Sequence, residues 1–173
     1  MAFQIQRATE KDQEAIVSIG KVSVADAHRG SCPDEVLNEY IEKHYNAEEI
    51  TRELSDPKNI YHIIYYDGKP AGFSKIILNA EHTNVATRNA TMLDRIYLSK
   101  EFQGHKLGFE LLKFNIDLAK NNDQSGIWLF TWIGNKKAIE FYTRMGFTII
   151  GSHRFQVTET HSNPNHQMYL AFS

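Results

Sequence analysis

The chain has 173 residues, a net charge of −2 and a single cysteine, Cys32. This length suits one domain with a sizeable core, so we expect residues 1–173 to form a single domain. The near-neutral charge gives no indication of a nucleic-acid partner, and one cysteine excludes both an intrachain disulfide and a cysteine-based metal cluster. The N-terminal residues lack the features of a signal peptide, and no segment approaches the roughly 18 apolar residues of a membrane span. We therefore expect a cytoplasmic protein with no membrane partner.

The first half of the chain reads as a strand, three helices and a hairpin. Residues 3–7 alternate apolar and polar side chains, which predicts a half-buried strand. Thr9, Pro33 and Asn46 are typical of helix N-termini, and each precedes residues with helical spacing. Two β-rich runs then flank Asp67-Gly68, the strongest short hairpin signal in the chain.

The second half alternates strands and helices. The predicted elements are strand 90–98, helix 108–121, strand 127–133, helix 135–145 and the closing strands 147–151 and 167–172. Strand–helix–strand crossovers require parallel strands, whereas the hairpin is antiparallel. The sequence therefore predicts a mixed α/β fold with helices on both faces of the sheet, and a ligand site where adjacent parallel strands part.

The segment from Asp34 to Asp56 is acidic, with eight carboxylates against Lys43 and Arg52. Such a run is commonly a solvated helix face. Alternatively, it forms a negative rim that attracts a cationic substrate. Both interpretations stay open at this stage.

Residues 103–108, between a predicted strand and a predicted helix, form a polar loop with two glycines. A loop of this kind directs backbone N–H groups to one point at a helix N-terminus, which favours phosphate. It is not a P-loop, because Gly104 and Gly108 are too close together and Phe109 stands where lysine is required. The dinucleotide fingerprint is also absent. Two interpretations remain: the loop binds a phosphorylated cofactor, or it is an ordinary connecting loop.

The loop resembles the pyrophosphate motif Q/R-x-x-G-x-G/A of the GNAT family of acetyl-CoA-dependent N-acetyltransferases. Gln103 and Gly108 match its ends, whereas Lys106 stands where the family usually has glycine. About thirty residues downstream, 135–147 matches the family pattern N-x-x-A-x-x-F-Y-x-x-x-G-F. On these two motifs the chain is identified as a GNAT member. Its segments 40–55, 67–68, 94–97, 127–129 and 151–153 look most similar to PaiA-type polyamine N-acetyltransferases. The resemblance implies the GNAT fold, a mostly antiparallel sheet with one splayed parallel pair.

The resemblance also implies catalytic roles for two residues. Tyr142 matches the tyrosine that the family places beside the cofactor sulfur as a general acid; its alternative is a packed aromatic. Asp94 lies where many members carry a carboxylate that acts as base or steers the amine, through a water in some cases. Its alternative is an ion pair with a nearby Arg or Lys.

Acetyl-CoA is the implied co-substrate, and the resemblance assigns residues to it. Backbone groups of Ile96, Tyr97 and Leu98 would hold the pantetheine as an added strand, and Asn135 would contact it. Lys137, or its neighbour Lys136, would meet the 3′-phosphate. The pyrophosphate would lie on the loop residues Gln103, Gly104, His105, Lys106, Leu107 and Gly108.

The acceptor is expected to be a small-molecule primary amine, with a polyamine or another small cation favoured by the acidic helices. Asp26, His28 and Glu35 are the candidate contacts. A protein N-terminus, a lysine, an amino acid, an aminoglycoside or a non-catalytic acyl-CoA-binding regulator are the alternatives. The eight histidines show no paired metal-ligand spacing, so no metal is expected, although His161 and His166 could meet across a turn at Asn163-Pro164. The family analogy also makes a homodimer plausible.

Overall fold

The computed structural model describes residues 2–173. Within this range, seven strands and five helices follow one another, with short 3₁₀ turns at Glu10–Asp12 and Lys100–Phe102. In chain order they are β1 (Phe3–Arg7), α1 (Gln13–His28), α2 (Asp34–His44), α3 (Ala47–Ser55), β2 (Ile60–Tyr66), β3 (Lys69–Ile77), β4 (Ala90–Leu98), α4 (Leu107–Asn121), β5 (Gly126–Trp132), α5 (Lys136–Arg144), β6 (Thr148–Gln156) and β7 (Ser162–Ala171). Within the described residues, no helix combines the length and apolar character needed to cross a membrane.

All seven strands form one sheet in the order β1-β2-β3-β4-β5-β7-β6. Every neighbouring pair is antiparallel except β4 and β5, which are parallel. These two strands pair only from Ala90 with Gly126 to Met92 with Trp128, and beyond Met92 they separate. The mixed α/β fold with a splayed parallel pair is therefore confirmed. The separation leaves a V-shaped cleft near the centre of the sheet.

Helices cover both faces of the sheet, and we name the faces by them. On the front face α1, α2 and α3 pack against β2 and β3, with Ile16 and Ile50 buried beside Phe73. On the back face α4 and α5 pack against β4, β5 and β7, with Leu112 buried beside Leu129. Successive residues of a strand point to opposite faces. Each residue of the cleft strands therefore points either to the front face or to the back face.

Helical periodicity located the buried face of α1 only in part. Ile16 and Ile19 are buried, whereas Val22, which follows them at helical spacing, is 60% exposed. Ser23 and Val24 are buried instead, at i+7 and i+8 from Ile16. Val22 lies between the repeats of that pattern and faces solvent.

The closing hairpin is longer than the sequence predicts. β6 and β7 extend over Thr148–Gln156 and Ser162–Ala171, and the turn lies at 157–161 rather than at Asn163-Pro164. Proline usually argues against a central strand because it cannot donate to the ladder. Here Pro164 lies just beyond the last β5–β7 pair, and its carbonyl accepts a hydrogen bond from the backbone N–H of Ile133. At this position the N–H that proline lacks costs the β5–β7 ladder little. His161 and His166 accordingly do not face each other across a turn at this proline.

His62 on β2 makes stability sensitive to acid. Its side chain is 6% exposed, and its ring lies edge-on against Phe114 of α4 at 4.8 Å. Burial, with a smaller contribution from the charge of Arg7, lowers the pKa of His62 from 6.5 to about 4. In the unfolded chain His62 is therefore protonated below about pH 6.5, whereas in the folded chain it is protonated only below about pH 4.

We expect the free energy of unfolding to fall by about 2 kcal/mol between pH 6.5 and pH 5 because of this histidine. Urea unfolding at a series of pH values measures the slope. His62→Gln removes the titrating ring and should flatten that slope, whereas His161→Gln, in the turn, should leave it unchanged. An unchanged slope in His62→Gln would contradict the assignment.

Candidate active site

The splayed cleft leaves one edge of β4 without a partner strand. Beyond Met92, the backbone groups of β4 that face β5 have no strand to pair with. An extended chain could occupy this opened edge by forming strand-like hydrogen bonds. Ile96, Tyr97 and Leu98, the predicted pantetheine contacts, are the last residues of β4 and lie along it.

The predicted phosphate loop adopts the backbone that anion binding requires. Gly104 has φ +91° and Lys106 has φ +61°, both in the left-handed region. Leu107 then begins α4, whose first-turn N–H groups have no acceptor within the helix. Lys106 therefore adopts the conformation for which glycine is usual at this position of the motif. Lys106 thus keeps a left-handed backbone at this position and adds a cation to the loop.

Neighbouring side chains hold the loop in place. The His105 ring stacks on Tyr66 of β2 with centroids 4.6 Å apart, and the Tyr66 hydroxyl lies 3.4 Å from Nδ1. Lys137 of α5 donates from Nζ to Gln103 Oε1 at 3.4 Å. The structure thus brings Lys137 to the loop, and its contact with the 3′-phosphate stays a prediction. With the free N–H groups and the open strand edge, this donor set fits a pyrophosphate carried on an extended arm.

Asn135 has a structural role that the motif does not reveal. Its side-chain oxygen accepts from the backbone N–H of Ala138 at 3.2 Å, so it caps the N-terminus of α5. This capping bond orients the helix that carries Tyr142. The predicted contact with pantetheine stays a prediction.

Tyr142 lies on the back face, where α5 packs on the sheet. Its side chain is 8% exposed and contacts Phe141 and Phe147, with ring centroids 5.4 and 5.6 Å away. Burial raises the pKa of Tyr142 above its ordinary value of 10. The phenol therefore keeps its proton throughout the neutral and mildly alkaline range, as a proton donor must.

Asp94 lies at a β-bulge of β4. Lys75 of β3 pairs with Arg95, and the next residue, Ile76, pairs with Leu93, so Asp94 is the extra residue. Bulges redirect a side chain out of the regular alternation. The Lys75 ammonium approaches Asp94 Oδ2 at 2.9 Å, and Arg95 Nε lies 3.7 Å from the same oxygen. The alternative interpretation of Asp94, an ion pair, is thus present in the structure.

This ion pair is part of a buried network that extends to α3. Lys75 also contacts Glu53 Oε1 at 2.8 Å, and Tyr61 donates to that oxygen at 2.7 Å. Arg95 in turn donates to the Tyr61 hydroxyl at 3.0 Å. Burial by itself would raise the pKa of Glu53, but hydrogen bonds from Lys75 and Tyr61 lower it overall. Two cations and two carboxylates thus balance one another on the front face.

Sequence reasoning missed Glu53 and Lys75 as parts of the site. One signal was available, because Lys75 directly precedes the apolar pair Ile76-Ile77 in a predicted strand; in the structure it is only 6% exposed. A charged residue in a buried strand requires a partner. The partners come from α3 and β4, which no short-range pattern could identify.

The three predicted acceptor contacts have different surroundings. His28, at the end of α1, lies with its ring 6.3 Å from Trp132, at the end of β5, and burial lowers the pKa of His28. Asp26 instead pairs with Arg29 at 3.3 Å, and Glu35 is exposed in the first turn of α2. Of the three, the structure brings His28 to the end of the cleft strand.

Comparison with known proteins identifies the family. The family model described as "Acetyltransferase (GNAT) family" matches residues 23–147, so the chain belongs to the GNAT acetyltransferases. It is 28% identical over 152 residues, 88% of each chain, to an uncharacterized N-acetyltransferase in the pepI 3′ region of Lactobacillus delbrueckii subsp. lactis. It is 31% identical over 103 residues, 57% of this chain and 68% of the relative, to the spermine/spermidine N(1)-acetyltransferase of Bacillus subtilis.

Solved structures share the fold at low sequence identity. The PaiA N-acetyltransferase of Thermoplasma acidophilum, crystallised with coenzyme A, matches with a TM-score of 0.78, 19% identity and 99% and 100% of the two chains. The ribosomal-protein-S18-alanine N-acetyltransferase of Escherichia coli matches with a TM-score of 0.72, 18% identity and 99% and 95% coverage. The protein is an N-acetyltransferase with acetyl-CoA as its co-substrate.

Proposed function

We propose that the protein transfers the acetyl group of acetyl-CoA to a primary amine of a small cationic molecule, with polyamines as the favoured acceptors. The observation that carries this proposal is the cleft, which has Tyr142 on its back face and the Asp94 network on its front face. The Bacillus subtilis relative, named for spermine and spermidine, supports the choice of acceptor.

Direct attack of the amine on acetyl-CoA within a ternary complex gives a role to Tyr142 on the back face and to the Asp94 network on the front face. The neutral amine nitrogen bonds to the thioester carbonyl carbon, the carbon–sulfur bond breaks, and the thiolate takes the hydroxyl proton of Tyr142. The substrate ammonium loses one proton through water before the attack and the nitrogen loses a second one to solvent after it, while Tyr142 regains its proton from solvent. Placing both reactants in one cleft supplies much of the acceleration.

Asp94 steers the amine in this proposal. Lys75 and Arg95 both engage Oδ2, while the side chain stays 26% exposed. Oδ1 is therefore the atom suited to hold the cationic amine, directly or through a water. The acidic segment of α2 and α3 adds a negative field that draws cations to the front face.

The remaining site residues are assigned either to the cofactor or to the acceptor amine. The backbone of residues 96–98 would hold the pantetheine, the loop 103–108 the pyrophosphate, and Lys137 the 3′-phosphate. We place His28 at the acceptor side, with Asp26 and Glu35 at its outer rim. A single domain over 1–173 and a homodimer remain predictions.

Lys106 offers a test of the phosphate loop. A non-glycine residue in the left-handed region costs about 1–2 kcal/mol, so Lys106→Gly should raise the free energy of unfolding by about 0.5–1 kcal/mol after the entropy of glycine is counted. The same variant loses a cation beside the phosphates, so we expect KM for acetyl-CoA to rise about fivefold.

Lys106→Met is the matched control, because it removes the charge and keeps the backbone cost. It should raise KM without a gain in stability. If neither variant changed KM, the charge of Lys106 would have no part in binding acetyl-CoA.

CoA release from acetyl-CoA with a panel of amines tests the proposed function. The panel contains spermidine, spermine, butylamine, free amino acids, an aminoglycoside and a peptide with a free N-terminus. Turnover with polyamines at the highest kcat/KM supports the proposal. Turnover only with other amines overturns the polyamine assignment, and acetyl-CoA binding without turnover on any amine favours the non-catalytic regulator.

A further inference from the structure

The phosphate loop, residues 103–108, depends on side chains for its shape. Backbone hydrogen bonds fix the turn before it, where the Phe102 N–H donates to Ser99 at 3.0 Å and the Gln103 N–H donates to Lys100 at 3.2 Å. A loop that binds phosphate through its own N–H groups must leave those groups free for the ligand. Contacts from outside the loop must therefore hold its shape before the ligand binds.

Tyr66, the last residue of β2, makes two such contacts. Its ring stacks on His105 with centroids 4.6 Å apart and an interplanar angle of 27°, and the edge-on ring of Phe102 lies 6.1 Å away. The Tyr66 hydroxyl lies 3.4 Å from His105 Nδ1. His105 and Phe102 flank Gly104, a residue with positive φ and the freest backbone of the loop. Holding both neighbours restricts the conformations that this glycine can adopt.

The Tyr66 ring is itself held by a fully buried part of the back face. It packs against the cluster formed by Ile64, Ala71, Leu107 and Leu111, in which every member is 0% exposed. Leu107 is the first residue of α4, the helix whose N-terminus faces the phosphate loop. Close-packed interiors of this kind have few alternative arrangements. Tyr66 therefore links the loop to the sheet as well as to the helix.

We propose that Tyr66 is a positioning residue that holds the phosphate loop in its anion-binding shape before acetyl-CoA arrives. The inference rests on the assignment of this loop to the pyrophosphate under the proposed function. Without the ring, the loop would populate other backbone conformations. The apparent affinity for CoA would then fall in proportion to the fraction of molecules that keep the binding shape. The pantetheine arm would bind β4 rather than the loop, so its own binding should not depend on the ring.

Titration calorimetry with CoA measures this effect without turnover. Tyr66→Leu keeps an apolar side chain in the buried cluster but removes the aromatic face, and we expect it to raise Kd at least about tenfold. Tyr66→Phe keeps the ring and should stay within about threefold of the unmodified protein. The matched control is Tyr65→Leu, which changes the neighbouring tyrosine that packs against the front-face core, and it should bind CoA normally.

The choice of acetyl donor separates positioning from a general defect of the fold. With the best amine of the panel, kcat/KM is compared for acetyl-CoA and for S-acetylpantetheine, which lacks the pyrophosphate and the nucleotide. For Tyr66→Leu we expect at least about a tenfold fall with acetyl-CoA, through KM, and less than about a twofold change with S-acetylpantetheine. A defect of the whole fold would lower both values together.

Two results would overturn the inference. One is an unchanged Kd for CoA in Tyr66→Leu while Lys106→Met raises it, which would show that the loop binds phosphate without help from the ring. The other is an equal loss of kcat/KM with both donors. Failure of the loop assignment has a different signature, because Lys106→Met, His105→Ala and Tyr66→Leu would then all leave CoA binding unchanged.

Discussion

Tyr142→Phe is expected to lower kcat by about 100-fold to 1,000-fold while KM for acetyl-CoA changes by less than about twofold. The change removes only the hydroxyl, and the ring contacts with Phe141 and Phe147 remain. If Tyr142 supplies the proton to the leaving thiolate, the thiolate of the variant must leave unprotonated. Steady-state CoA release at saturating amine measures the effect.

The pH dependence of kcat provides a second readout for Tyr142. An acid is active in its protonated form, and burial raises its pKa, so the active form persists to higher pH than an exposed tyrosine would allow. We therefore expect no loss of kcat from this residue between pH 7 and 9.5. Tyr45→Phe, which removes a hydroxyl from another buried tyrosine, should be fully active. A Tyr142→Phe variant with unchanged kcat would contradict the acid role.

Lys75→Met is expected to destabilise the protein by about 3–5 kcal/mol, the usual cost of removing one partner of a buried ion pair. Lys75 is 6% exposed and neutralises both Glu53 and Asp94. Without it, two carboxylates share the single charge of Arg95. Urea unfolding at pH 7 measures the loss, and Lys113→Met, on the exposed side of α4, should change stability by less than about 0.5 kcal/mol.

A double-mutant cycle identifies the cause of that loss. The double variant Lys75→Met/Glu53→Gln also removes the charge of Glu53, one of the two carboxylates that Lys75→Met leaves without their lysine. We therefore expect its free energy of unfolding to be at least about 1 kcal/mol higher than the sum of the two single effects predicts. Strict additivity would show that the network is not coupled. Because Lys75 also fixes Asp94 Oδ2, kcat/KM for the amine should fall about tenfold in folded Lys75→Met, with KM for acetyl-CoA unchanged.

Features set by neighbouring residues could be predicted from the sequence. Asn46 accepts from the Glu49 N–H at 2.8 Å, as its spacing predicts, and begins α3. Asp67 and Gly68 both adopt positive φ and close the β2–β3 hairpin. The loop at 103–108 and the helix carrying Tyr142 also lie where the two motifs place them. In each case the controlling interactions span only a few residues.

Two residues could not be interpreted correctly from the sequence, Pro164 and Lys75. Pro164 suggested a turn, yet it lies inside β7 at a point where the β5 ladder has already ended. Lys75 appeared as an ordinary strand residue because its partners, Glu53 and Asp94, lie about twenty positions away on either side. The energetic cost of a residue at such a position depends on neighbours that folding supplies.

The sequence by itself determined the strand and helix order, the phosphate loop and the family, because these depend on local conformation and on motifs of closely spaced residues. Only the tertiary structure decided which charged and aromatic side chains meet across the sheet. The Glu53–Lys75–Asp94–Arg95 network joins three elements, and the ring contact between Tyr40 and Phe155 joins α2 to the closing hairpin. The physical reason is that buried charges and aromatic rings are paired through space, across a sheet whose splay brings together side chains that are far apart in the chain.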